Sequence, residues 1–75
     1  MDSNQTLDAR GLNCPLPILR TKKSLTGMKS GETLKVVASD PGALKDMEAF
    51  CNQTGHALLT SLQKGGDFEF VIRKA

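Results

Sequence analysis

Residues 33–51 read TLKVVASDPGALKDMEAFC, and the apolar repeat changes in the middle of that stretch. In TLKVVA, Leu34, Val36 and Ala38 alternate with Lys35 and Val37, the two-residue period of a strand with one better covered face. Past the break at Asp40, Pro41 and Gly42, the apolar residues Ala43, Leu44, Met47, Phe50 and Cys51 recur at steps of three and four, the period of an amphipathic helix. Asp40 is expected to accept from the unpaired amides at the start of that helix, and Gly55 is its stop signal. A strand that turns directly into a helix commits the chain to a fold containing both element types.

Working outward, PLPILRTKKSLTG at residues 15–27, with Met28 following it, sets Ile18, Leu25 and Met28 at helical spacing with Thr21 between them. Arg20, Lys22 and Lys23 fall on other faces, and Lys22, Lys23 and Lys29 lie toward the C-terminal end, where positive charge suits the helix dipole. Before this helix, QTLDA at residues 5–9 is a short alternating strand bounded by Arg10 and Gly11. After the second helix, ALLTSLQ, a GGD turn at residues 65–67 and FEFVIRK form a hairpin, with Phe68, Phe70 and Ile72 on one face. The order strand, helix, strand, helix, strand, strand calls for right-handed crossovers, with both helices on the same side of the sheet if they share one core. The expected fold is α+β: a two-layer α/β sandwich of βαβαββ order, with a four-stranded mixed sheet and two helices on one face. Residues 1–75 are expected to form one domain, since the chain has no internal repeat, low-complexity tract or linker.

A chain of 75 residues buries only about 60% of its unfolded surface, so a large enclosed active site is not expected. Its three Phe, with no Trp or Tyr, point to an aliphatic core. The net charge of +2 is spread along the sequence. Few rings for stacking and no basic block argue against direct nucleic-acid binding. No apolar run reaches the length of a membrane span, and MDSNQT is polar with an early acid, so neither a span nor a secretory leader is expected and the expected location is cytoplasmic. In such a reducing compartment Cys14 and Cys51 are expected to be free thiols.

The chemistry concentrates at GLNCPLP, residues 11–17. Proline suits the first position of a helix, because its backbone angle is already helical and its missing amide had no partner there. Pro15 therefore marks Cys14 as the expected N-cap. Pro17 at the third position removes a second amide and leaves that of Leu16 to face the sulfur. Helix N-termini lower thiol pKa values, and Arg10, Arg20 and Lys22 are candidate anion-stabilising or docking charges, so Cys14 is expected to be an acidified, exposed thiol. Gly11, Pro15 and Pro17 are expected to position its loop. Cys51 lies on the apolar stripe of its helix and reads as a buried, inert thiol. His56 reads as a solvated loop histidine rather than a catalytic partner. Two distant cysteines and one histidine do not make a zinc site, so no metal is expected. Asp8 and Asp40 read as turn or cap acids.

The run LDARGLNCPLPIL, with GETLKVVASDP, the later FC and GH pairs and the closing FVIRK, resembles the TusA family of sulfur carriers, also called SirA-like proteins. The motif C-P-x-P at residues 14–17, preceded by D-x-x-G-L-x-C from Asp8, carries the resemblance, which spans nearly the whole chain. It implies a βαβαββ sandwich and one active cysteine, here Cys14, that accepts sulfane sulfur as a persulfide with no bound cofactor. It also implies a sulfurtransferase working as a monomer in a relay. The donor would be a pyridoxal-phosphate cysteine desulfurase or a rhodanese-type enzyme, and the acceptor another cysteine-bearing carrier of the DsrE-like kind. The outlets served by the family are 2-thiouridine in tRNA, cytoplasmic sulfur oxidation and trafficking, and sulfur supply to molybdenum cofactor. Leu16 stands where tRNA-thiolating members often carry an acid, which suits a different docking partner. A competing reading from another class is a non-catalytic redox-sensing or protein-interaction module whose Cys14 is modified as a signal.

Overall fold

Leu34, Val36 and Ala38 are buried while Thr33, Lys35 and Val37 are only half-buried, so the alternation of TLKVVA becomes a strand with one face against the core. In the computed structural model, which describes residues 4–75, this strand is β2, Thr33–Ala38. The others are β1 Gln5–Ala9, β3 Ala57–Lys64 and β4 Asp67–Arg73, with helices α1 Leu16–Thr26 and α2 Ala43–Thr54. Residues 1–3 of the polar MDSNQT run lie outside the described residues. All six expected elements form, in the βαβαββ order.

The sheet order is β1-β2-β4-β3. β1 runs parallel to β2, with Leu7 opposite Val36. β4 is antiparallel to both neighbours, with Phe70 opposite Val36 of β2 and opposite Ser61 of β3. The last strand is thus inserted between two strands that α2 has already connected. Composition explains the choice: Phe70, Val71 and Ile72 are all buried in β4, whereas the second half of β3, SLQK, is exposed. The apolar strand takes the centre and the polar one tolerates an open edge.

β3 also carries a bulge. Its register with β4 slips by one residue between Leu58 and Thr60, so Leu58 faces Ile72 and the core while Thr60 pairs with Val71. The double leucine at 58 and 59 breaks strict alternation, and the extra residue sets Ser61 and Gln63, rather than Thr60 and Leu62, opposite Phe70 and Phe68.

The core combines Leu25 of α1, Met28 just after that helix, Ala43, Met47, Phe50 and Cys51 of α2, and Leu34, Val36, Phe70 and Ile72 of the sheet. Thr21 is fully buried there, its hydroxyl donating to the Pro17 carbonyl at 2.8 Å. Two expectations are corrected at the helix surfaces. Leu44 lies 37% exposed on α2 rather than in the core, and Ile18 is only partly buried. Pro17, expected only to shape the loop, is fully buried and begins the α1 stripe that continues through Thr21 and Leu25. Gly55 ends α2 with φ +85° and donates to the Cys51 carbonyl at 2.9 Å, a left-handed cap that glycine adopts without strain. No helix among the described residues is long and apolar enough to cross a membrane.

Candidate functional site

The segment before α1 is held from outside. Gly11, at φ +81°, donates its amide to Ser39 Oγ at 2.8 Å, and the Cys14 amide donates to Asp40 Oδ2 at 2.9 Å. Asp40 Oδ1 accepts from Gly42 at 3.1 Å. The connection from β2 to α2 therefore grips the cysteine loop at two points. Asp40 does accept an amide at the helix entry, that of the N-cap Gly42, and its carboxylate also reaches the Cys14 backbone, bridging the two segments.

The α1 start is shifted by one residue from expectation. Pro15 is the N-cap, Leu16 opens the helix, and Pro17 follows at the second position, so Cys14 stands just before the cap. The Cys14–Pro15 peptide bond is cis. The Leu16 amide, expected to face the sulfur, donates to the Asn13 carbonyl at 2.8 Å. A carbonyl oxygen is a far better acceptor than sulfur, so the turn closes on itself.

None of the three basic candidates lines the cleft at Cys14. Arg10 is bound to Asp8 at 2.9 and 3.0 Å and reaches Asp67 at 4.0 Å. Its side chain and amide together hold the Asp8 carboxyl down to about 2. Arg20 and Lys22 are exposed on α1, away from the walls of the cleft described next.

Cys14, Pro15 and Ile18 form one side of an open cleft of about 230 Å³, and Asp46, Ala49, Phe50 and Gln53 form the other. The four α2 residues follow the spacing i, i+3, i+4, i+7 and so share one helix face. Cys14 is exposed and Asp46 half-buried, which puts one carboxylate beside one thiol against mostly apolar walls. Hydrogen bonding to Asp46, with desolvation and the Asp46 and Asp40 charges behind it, pushes the Cys14 thiol above its ordinary value. The sequence led us to expect the opposite shift. A full negative charge in contact with the thiol outweighs the half charge of a helix end, and the helix begins one residue further away than expected.

Cys51 is 5% exposed and its thiol is also pushed up, by burial alone. His56 does not line the cleft. Its ring packs 5.7 Å from Phe50, and its Nδ1 accepts the Ala75 amide at 3.0 Å. Burial and then Lys74 lower its pKa below 6.5. The folded state thus prefers neutral His56, which adds stability above the unfolded value and loses it as pH falls through the folded one. Urea midpoints are expected to drop between pH 7.5 and pH 5, and His56→Gln should flatten the part of that drop that belongs to the imidazole.

Sequence reading missed Asp46, Ala49, Phe50 and Gln53 as one wall. Their spacing was legible, but not which loop they would face. Leu16 and Leu19, 43% and 53% exposed, add apolar surface on the first turns of α1. The arrangement presents a single accessible sulfur nucleophile from a braced loop, with no enclosed chamber for a substrate.

Known proteins match this chain and its fold. The model of the family described as Sulfurtransferase TusA matches residues 5–74. The sulfur carrier protein TusA of Allochromatium vinosum is 57% identical over 74 residues, covering 99% of this chain and 97% of that protein. The crystal structure of a SirA-like protein from Desulfitobacterium hafniense superposes with a TM-score of 0.82 at 27% identity, covering 92% of this chain and 95% of the other. On a match that runs through the cysteine loop, both helices and all four strands, the chain belongs to the TusA family of sulfur carriers.

Proposed function

We propose that Cys14 carries sulfane sulfur as a persulfide between two partner proteins. The observation that carries this reading is the contrast between the two cysteines: Cys14 is exposed on a loop tied down by Asp40 and Ser39, while Cys51 is buried. A carrier needs its sulfur reachable by two larger proteins in turn, and the open cleft at Cys14, together with the exposed Leu16 and Leu19 of α1, supplies surface for such docking.

In loading, the Cys14 thiolate attacks the outer sulfur of a donor persulfide. The donor's S–S bond breaks as the bond to Cys14 forms, and the departing donor thiolate takes up the proton that Cys14 gave off. Sulfane sulfur keeps its oxidation state, so neither oxidant nor cofactor takes part. The donor is a cysteine desulfurase or a rhodanese-type enzyme, and the acceptor a cysteine-bearing carrier of the DsrE-like kind. Tying the relay to tRNA thiolation or to cytoplasmic sulfur oxidation depends on that acceptor. The redox-sensor reading is less favoured by the site's electrostatics, because sensor cysteines have lowered pKa values and the acids beside Cys14 push its thiol up.

Incubation with a cysteine desulfurase and cysteine should add a reducible mass of about 32 Da, one sulfur, to the Cys14 peptide. Sulfur found on the Cys51 peptide instead, or on neither, would overturn the proposal.

A further inference from the structure

The carboxylate beside the thiol is at odds with a simple nucleophile, since it works against ionisation. Asp46 sits in the first turn of α2, where negative charge is favoured by the helix dipole, and faces Cys14 across the cleft. The ion pairs formed among the described residues join Arg10 to Asp8 and Asp67, and Lys35 to Glu69, so no cation pairs with Asp46. From the elements packed around Cys14, the charged groups that act on it are Asp46 of α2 and Asp40 of the preceding connection, both acids.

We propose that Asp46 drives unloading of the carrier: its carboxylate favours the neutral thiol of the empty protein over the persulfide anion of the loaded one. This rests on the reading of Cys14 as a persulfide carrier and assigns a positioning role within it. A persulfide is more acidic than the thiol it replaces, so loading turns a neutral group beside Asp46 into an anion. Like charges at close range in a partly desolvated cleft repel.

The hand-over relieves that repulsion. The acceptor thiol ionises and its thiolate attacks the outer sulfur on Cys14; the S–S bond to Cys14 breaks as the new one forms. The Cys14 thiolate released takes up the proton that the acceptor gave off, and the resulting S–H donates to Asp46. The net change carries both the sulfur and the negative charge away to the acceptor, and sulfane sulfur keeps its oxidation state. Resting as a thiol also protects the empty carrier from oxidants, which react with thiolates.

The test uses Asp46→Asn, which keeps shape and removes charge, on the full chain with Cys51→Ala so that only Cys14 reports. Iodoacetamide alkylation of Cys14 is followed against pH. Separately, persulfidated protein is equilibrated with glutathione and the sulfur retained on Cys14 is measured. Asp46→Asn is expected to move the alkylation inflection to lower pH, to raise the rate at pH 7.5 several-fold, and to retain several-fold more sulfur. Asp46→Glu should behave like the unaltered protein, and so should Glu48→Gln, which removes an exposed charge from the same helix outside the cleft.

An alkylation profile indifferent to Asp46→Asn, or reproduced by Glu48→Gln, overturns the inference. So does a shifted profile with unchanged sulfur retention. A protein that takes up no sulfur at all overturns the carrier reading and the unloading role with it, whereas normal loading with an indifferent profile removes only the role of Asp46.

Discussion

Cys14→Ser is expected to reduce sulfur loading to the background of a cysteine-free chain, while Cys51→Ala loads like the unaltered protein. Serine preserves the size and placement of the side chain and leaves the bond from the Cys14-position amide to Asp40 Oδ2 in place, so the loop should not rearrange. The chemistry goes with the sulfur: a hydroxyl is not ionised near neutral pH and forms no stable bond to sulfane sulfur. Cys51 does not take over, because it lies within the core among Met47, Phe50 and the sheet residues, and burial raises its thiol. Alanine at position 51 keeps an apolar group there at small cost. Radiolabelled sulfur transferred from a desulfurase, counted on each protein after gel filtration, makes the comparison. Equal loading of Cys14→Ser and the unaltered protein would remove Cys14 from its role.

Phe70→Ala is expected to destabilise the protein by about 3–5 kcal/mol, the usual range for deleting a buried ring. Phe70 is 0% exposed at the middle of the central strand, paired with Val36 on one side and Ser61 on the other and directed at the helices. Small domains have little stability to lose: at roughly 0.05–0.15 kcal/mol per residue, 75 residues hold on the order of 4–11 kcal/mol. The variant should therefore unfold at markedly lower temperature, with a drop in Tm of more than about 10 °C. Phe70→Leu should lose a fraction of this, about 1–2 kcal/mol, because most of the volume is kept. Thermal unfolding by circular dichroism reads both. A Tm for Phe70→Ala within a few degrees of the unaltered protein would mean that the core does not depend on this ring.

The elements were legible because each is written in local periodicity. Leu34, Val36 and Ala38 alternate; Met47, Phe50 and Cys51 repeat helically; Gly55 and the GGD turn punctuate. Such signals depend only on which side of an element meets the core, a question a short window of sequence can answer. Burial of Cys51 followed from the same reasoning, as did the bulk of the α1 stripe. The place of β4 was not written in this way. A hairpin puts β4 beside β3, but whether it lies inside or outside is a competition between strands for the sheet's centre.

The cysteine loop divides in the same manner. From its residues alone the chain determined that a thiol would stand at the entrance of the first helix, next to prolines and after a glycine turn. The charge state of that thiol was decided by residues far away in sequence, Asp40 and Asp46, which the β2–α2 connection and α2 bring against it. The local rule weighs a helix end and neighbouring bases, and it gives an acidified sulfur. The assembled protein binds Arg10 to Asp8 and sets two carboxylates near Cys14 instead. Electrostatic energy depends on distance through space, and only the packing of α1 against α2 establishes those distances.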